Sequence, residues 1–273
     1  MKDLDASVIR RHVGAGPTSR LDKVEVLPRI DSTNSYLLQQ SAPESGRFRV
    51  VIAGHQTAGR GRHDRSWQSP PGTGLCLSLA YTFTELPDRL PNLTLSLGVG
   101  VVNALSGLGI GGVSLKWPND IVAMNGKLGG MLTEVQSGAD GDVTVVAGIG
   151  LNIDLPEELD LRADHYWTQR AVGIRSIHAN PPSREVLAGA IIEHLLTTLV
   201  QFDELGFASF VDEWRQHDWL HGSVITVEMP DRQITGVAAG IDEDGALLVD
   251  TRAGQTRVMS GSIIMASLAE RDE

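Results

Sequence analysis

The chain has 273 residues, 41% hydrophobic and 21% charged, the profile of a soluble globular protein with one large domain or one medium and one small. Its formal net charge of −11 repels phosphate backbones, so bulk nucleic-acid binding is not expected, while a local cationic site for a nucleotide remains open. One cysteine, Cys76, excludes an intrachain disulfide and points to a reducing cytoplasm, and the first residues hold no apolar run of the signal-peptide kind.

Residues 1–20 read as a short helix and a Gly/Pro linker. Val24–Leu27 reads as a strand. Asp31-Ser32-Thr33-Asn34 then offers N-cap residues ahead of the apolar run Tyr36-Leu37-Leu38. Phe48–Ala53 is a β-branched strand leading into a glycine-rich loop, Gly59–Gly74, and Leu75–Tyr81 is a further strand. Leu90–Leu115 carries no charge and is long enough to span a bilayer. Its glycines break it into a buried helix, a loop and the strand Val113–Trp117, so no membrane span is expected. Asp120–Glu134 reads as a hairpin with Asn125-Gly126 as its type I′ turn. Val143–Ile153 is an apolar strand. From Ser183 to His217 the period lengthens to that of helices, with Val186, Ala190, Leu195, Leu199 and Phe202 on one face. After Trp219 come short strands at Val224–Val227, Gly236–Ile241, Ala246–Val249 and Arg257–Met259. The expectation is an α/β (α+β) chain: a central mixed or antiparallel sheet with flanking helices over 1–219, then a small SH3-like β-barrel over 220–273.

Four constellations carry candidate chemistry. Gly59-Arg60-Gly61-Arg62-His63-Asp64-Arg65-Ser66-Trp67 packs three arginines into six residues of an acidic protein. Glycines admit a ligand close to the backbone, and guanidinium groups give bidentate donors to phosphate or carboxylate. A solvated loop charged for solubility is the alternative. Lys116-Trp117-Pro118-Asn119-Asp120 holds a cation, an amide and a carboxylate around a proline between two strands. Lys suits a phosphate and Asp a magnesium ion, though a plain polar turn has the same composition. Lys127 begins the apolar strand Leu128-Gly129-Gly130-Met131-Leu132, where it needs an anionic partner unless it sits in solvent at the hairpin tip. Gly148-Ile149-Gly150-Leu151-Asn152 ends a strand in small residues and an amide. There is no Walker A loop, no complete dinucleotide fingerprint and no zinc-type spacing, so no metal site is expected among the side chains.

In this order the segments resemble the biotin–protein ligase family. The matching pieces are Asp31-Ser32-Thr33-Asn34, Gln56 with the arginine loop through Trp67, Lys116–Asp120, Lys127-Leu128-Gly129-Gly130 and Gly148–Asn152. The resemblance covers residues 24–268. It implies a class II synthetase/biotin-ligase-like fold and a two-step reaction in which biotin and ATP give biotinyl-5′-AMP and pyrophosphate, after which a carrier lysine takes the biotin. By the same resemblance Ser32, Thr33, Asn34, Gln56, Arg60, Gly61, Arg62, Lys127 and Gly129 belong to biotin binding, with Arg60, Arg62 and Lys127 acting in catalysis. Arg62, Arg65, Trp67, Lys116, Asn119, Asp120, Lys127 and Asn152 face the nucleotide, with Asp120 also a candidate contact for metal or the carrier lysine. Magnesium is the expected companion of ATP, and the biotin carboxyl carrier domain of a carboxylase the expected partner, with the chain a monomer or homodimer. The ligase pattern begins near residue 24, which leaves no room for a DNA-binding arm, so no DNA partner is expected. Asp64 stands where the family has a glycine. The alternatives are a lipoate- or octanoate-attaching enzyme, which would lack the Gly-Arg-Gly-Arg loop, and a non-catalytic biotin-binding regulator, which would not need Lys127. The arginine loop is expected to be mobile until a ligand closes it.

Overall fold

Two apolar runs build the centre of the molecule. Phe48–Ala53 forms β2 and Gly74–Thr82 forms β5, every residue of which is buried. Strands covered on both faces read as continuous apolar runs, not as alternating ones. The computed structural model describes residues 4–14, 16–85, 87, 90–138, 142–155 and 171–267. Around the two central strands lie β1 (Leu21–Leu27), β6 (Val113–Lys116), β7 (Asp120–Ala123), β8 (Gly126–Ser137) and β9 (Val143–Asn152). Their order is β1-β2-β5-β9-β8-β7-β6. The β1–β2 pair is parallel and every other pair in this sheet is antiparallel, a mixed sheet.

Strand alternation sends β5 side chains to two different layers. Leu75, Leu77, Leu79 and Tyr81 belong to the large core, which holds α3 (Leu93–Gly107) and α5 (Arg184–Leu205). Ala80, on the other face, packs with Val51, Val146 and Leu37 of α2 (Thr33–Leu38). Three short helices complete the set among the described residues: α1 (Ala6–His12), α4 (Ile174–Ile177) and α6 (Val211–Gln216). The uncharged stretch is α3, a turn and β6, as its glycines implied. Among the described residues α5 alone is long and apolar enough to cross a membrane, but Leu187, Ile191, Leu195, Leu199 and Phe202 are all buried against the sheet and α3. Val186 and Ala190 are only half buried, so the inward face is rotated from the one the periodicity suggested.

Two expectations need correction. The C-terminal strands are β10 (Val224–Glu228), β11 (Gln233–Ile241), β12 (Leu247–Thr251), β13 (Gly254–Val258) and β14 (Ser262–Ser267). They form an open sheet in the order β13-β12-β11-β10-β14, with no hydrogen bonding between its two edges among the described residues, and so not the expected barrel. A barrel needs its first and last strands to pair. Here the inner face, with Ile225, Val227, Leu247 and Val249, joins the same core as the main sheet, which covers it without closure. The second correction is the β7–β8 turn. Met124 and Asn125 occupy its centre, at φ +47° and +55°, and Gly126 pairs with Ala123. Strand register outweighed the turn preference of Asn-Gly.

Candidate active site

The polar residues of the sequence motifs converge on one open cleft of about 870 Å³. Its lining includes Ser32, Thr33, Asn34, Gln56, Arg60, Gly61, Arg62, Arg65, Trp67, Lys116, Asn119, Asp120 and Lys127.

One end is a neutral hydrogen-bonding wall. Ser32 caps α2 by accepting from Ser35 N, which fixes the start of that helix against the sheet. Gln56 Oε1 accepts from Thr33 N at 2.7 Å and from Thr33 Oγ1 at 2.9 Å. Ser78 on β5 donates to Asn34 Oδ1. Asn34 in turn donates to Leu132 O at 3.1 Å and to Glu134 Oε2 at 2.9 Å. All four residues of this wall, Ser32, Thr33, Asn34 and Gln56, are buried. Gly148 makes the seat for Asn34: a Cβ there would fall 2.3 Å from Asn34 Oδ1.

The other end is cationic. Lys127 Nζ lies 2.8 Å from Asp120 Oδ1, and Lys116 Nζ 3.4 Å from Asp120 Oδ2. Burial opposes the charge of Lys116 and of Asp120, but the one carboxylate faces two ammonium groups. Burial would raise the Asp120 carboxyl, yet the paired lysines outweigh it and hold it down at about 2. Lys116 is the less well served cation. Its burial, with Lys127 nearby, brings it from 10.5 down to about 8 despite the attraction of Asp120. Arg62 approaches from the loop, its Nη1 donating to Asn119 Oδ1 at 3.4 Å, and its burial also lowers its pKa. Asn119 is locked to β8 by mutual bonds with Met131, Nδ2 to O at 2.7 Å and O from N at 2.9 Å. Trp117 and Pro118 are joined by a cis peptide, and Trp117 Nε1 donates to Gly245 O in the C-terminal unit. Ser262 and Ile263 of that unit also line the cleft.

The arginine loop forms a hairpin over the cleft. β3 (Gly59–Arg60) pairs with β4 (Ser66–Trp67), and Gly61 N bonds Arg65 O at 2.7 Å. His63 and Asp64 at its tip both have positive φ, +53° and +58°. Trp67 lies against Gly150, where a Cβ would fall 2.4 Å from Trp67 Cε2, and Lys127 Nζ sits 5.9 Å from the Trp67 ring centre. Two sequence candidates fall outside the lining. Gly129 faces Gly150 O and Leu151 of the neighbouring strand, and Gly130 is the glycine beside Lys127 and Asp120. Asn152 Nδ2 donates to Lys127 O at 3.2 Å, holding the backbone behind the lysine. Sequence reasoning passed over Ser78 and Glu134, which lie mid-strand without a motif of their own.

A cleft with a neutral wall at one end and clustered cations at the other suits a ligand pair, one carrying a carboxylate and the other phosphates. Comparison with known proteins gives this a family. Residues 26–154 match the model of the Biotin/lipoate A/B protein ligase family, and residues 220–265 that of the Biotin protein ligase C terminal domain. The Bifunctional ligase/repressor BirA of Escherichia coli (strain K12) is 34% identical over 247 residues, covering 89% of this chain and 74% of that protein. The chain belongs to the biotin protein ligase family. The Biotin--[acetyl-CoA-carboxylase] ligase of Mycobacterium tuberculosis is 31% identical over 259 residues, covering 92% of this chain and 91% of that protein. Among solved biotin protein ligases, that of Aquifex aeolicus in complex with biotin and ATP superposes with a TM-score of 0.74 at 26% identity, covering 91% of this chain and all of that one.

Proposed function

We propose that this cleft carries out both half-reactions of an ATP-dependent biotin–protein ligase, with biotin at the neutral wall and ATP at the cationic end. The chain binds biotin and ATP, forms biotinyl-5′-AMP and transfers biotin to a protein lysine. In the first step a biotin carboxylate oxygen attacks the α-phosphorus, and the bond from that phosphorus to pyrophosphate breaks. In the second, a carrier lysine amine attacks the acyl carbon of the mixed anhydride, the ammonium loses its proton, and AMP leaves. Little covalent chemistry is asked of the protein. It must bring anions together, hold them in line and exclude water.

The supporting observation is the placing of Lys127 in the cleft lining, at the cationic end, beside Asp120 and facing Trp67. There it can exchange Asp120 for the biotin carboxylate and α-phosphate as charge develops. Ser32, Thr33 and Gln56 supply the fixed polar groups for the biotin rings, with Asn34 framing them through its bonds to Ser78, Leu132 and Glu134. Lys116, Arg62 and Arg65 flank the pyrophosphate, and Asn119 orients Arg62. Trp67 covers the intermediate.

Magnesium fits as the companion of ATP, not as a resident ion. Among the described residues no cluster of three or more His, Cys, Asp or Glu is present, and the Asp120 oxygens already face two lysines. Mg²⁺ is commonly held by phosphates with one or two carboxylates, so Asp120 is the residue that would help hold it with the nucleotide, where it would supply charge neutralisation. We assign the transfer to residues 1–219 and an auxiliary role to residues 220–273, in the cytoplasm, with a biotin carboxyl carrier domain as the acceptor.

The test is incubation with ATP, magnesium and either biotin or lipoate. Pyrophosphate and biotinyl-5′-AMP from biotin alone, followed by biotin transfer to an added carrier domain, are expected. Adenylate from lipoate alone would overturn the reading in favour of the lipoate-attaching alternative. Biotin binding without pyrophosphate would leave only a regulator.

A further inference from the structure

Arg60, the first arginine of the loop, turns away from the cationic end of the cleft. Its Nη2 donates to Glu134 Oε1 at 2.6 Å and its Nη1 to Ser35 Oγ at 3.3 Å. Glu134 lies on β8 and Ser35 on α2, so the arginine is tied to two different elements. We propose that Glu134 is the positioning residue that latches the arginine loop across the cleft, acting through Arg60. The assignment rests on the ligase reading above.

An exposed ion pair contributes little by itself, since ordering two flexible side chains offsets the attraction. Arg60 is indeed 43% exposed, but Glu134 is only 21% exposed. Its carboxylate is fixed beforehand, because Oε2 accepts from the buried Asn34 amide at 2.9 Å. The same Asn34 is held by Ser78 and Leu132, and Gly148 leaves it no neighbour to displace it. One carboxylate therefore joins two functions. Oε2 anchors to the wall where the biotin rings sit, and Oε1 receives the loop that covers the acyl-adenylate. The charge-assisted bond is short, and only the arginine side of it must be ordered when the loop shuts. A latch of this kind slows escape and hydrolysis of the intermediate without touching any reacting atom.

Glu134→Gln separates the two functions. The amide oxygen still accepts from Asn34, while its N–H₂ group opposes the Arg60 donors. We compare the full-length wild type, Glu134→Gln, Arg60→Ala and the double variant. One measurement is the rate at which biotinyl-5′-AMP leaves the protein in a chase with unlabelled biotin. The other is amide hydrogen exchange over residues 59–67 without ligand. Glu134→Gln is expected to raise adenylate release by about 3- to 10-fold and to speed exchange in the loop. In the Arg60→Ala background it adds nothing, and Glu134→Asp restores part of the retention. A purely structural role would instead lower Tm and add independently to the Arg60→Ala effect. Unchanged release and exchange, or effects that multiply in the double variant, overturn the latch. If the wild type forms no adenylate, the ligase reading fails separately, and the exchange measurement still decides whether Glu134 holds the loop.

Discussion

Lys127 and Asp120 share a face of the β7–β8 hairpin because one residue, Leu128, is extra in the ladder. Asp120 pairs with Gly130 and Ile121 with Gly129, but Val122 pairs with Lys127. A regular ladder would pair Lys127 with Ala123, three residues from Asp120 and therefore on the opposite face. The bulge restores the lysine to the side of the carboxylate, a recurrent use of bulges beside functional sites. Behind it, Asn152 Nδ2 and Val172 N both bond the Lys127 carbonyl.

Lys127→Ala is expected to keep the fold and to lose adenylate formation by about 10²- to 10³-fold, the scale seen when a transition-state charge stabiliser is removed. Asp120 retains Lys116 as its counter-ion, so the buried carboxylate is not left unpaired. The check is single-turnover pyrophosphate release beside a thermal melt. Normal biotin-dependent release by the variant would sink the assignment of Lys127.

Lys116 predicts a specific pH dependence. Its proton is lost near pH 8 in the folded protein, against an ordinary value of 10.5. Between those values the unfolded chain binds more protons, so this group's contribution to stability rises with pH across that window. Binding behaves oppositely. ATP needs the charged form, so kcat/KM for ATP should fall as pH rises through about 8, measured as pyrophosphate release without carrier. Bound phosphates raise the lysine again, so the same limb in kcat lies at higher pH. In Lys116→Met the limb disappears and kcat/KM is low throughout. An unchanged alkaline limb in that variant would assign the titration to another group.

Gly150→Ala tests the seat of Trp67. The added methyl would fall 2.4 Å from the indole ring, so the ring must move and its buried Nε1 with it. Reduced retention of biotinyl-5′-AMP is expected, with about 1–3 kcal/mol lost in stability from overpacking. A variant equal to wild type in both adenylate release and Tm would show that Trp67 does not cover the intermediate.

How much of this was legible in the sequence depends on the range over which each feature is decided. A helix cap within Asp31–Asn34, which the structure places on Ser32, and the apolar strands follow from neighbours in the chain and stand where local reasoning put them. The bulge at Leu128 depends on the pairing of two strands, and no residue there advertises it. Glu134 acquires its role only because Asn34 and Arg60, 100 and 74 residues away, arrive beside it. The barrel failed for a similar reason. Short strands at regular spacing reveal a small β unit, but whether its edges meet is a long-range matter, and the core of the main sheet had already covered its inner face.

The loop tip links local strain to retention of the intermediate. His63 and Asp64 sit in the left-handed region, at φ +53° and +58°. Side chains there cost roughly 1–2 kcal/mol per residue, less for Asp, which tolerates this backbone better than most. Glycine at position 64 would adopt it freely, so Asp64→Gly should leave the hairpin and Tm close to wild type. A β-branched residue meets the full penalty. Asp64→Val should open the turn between Gly61 and Arg65, raise amide exchange over residues 60–66 and speed escape of biotinyl-5′-AMP, with biotin affinity at the buried wall little changed. Equal exchange in the two variants would mean that this backbone geometry does not govern closure of the loop.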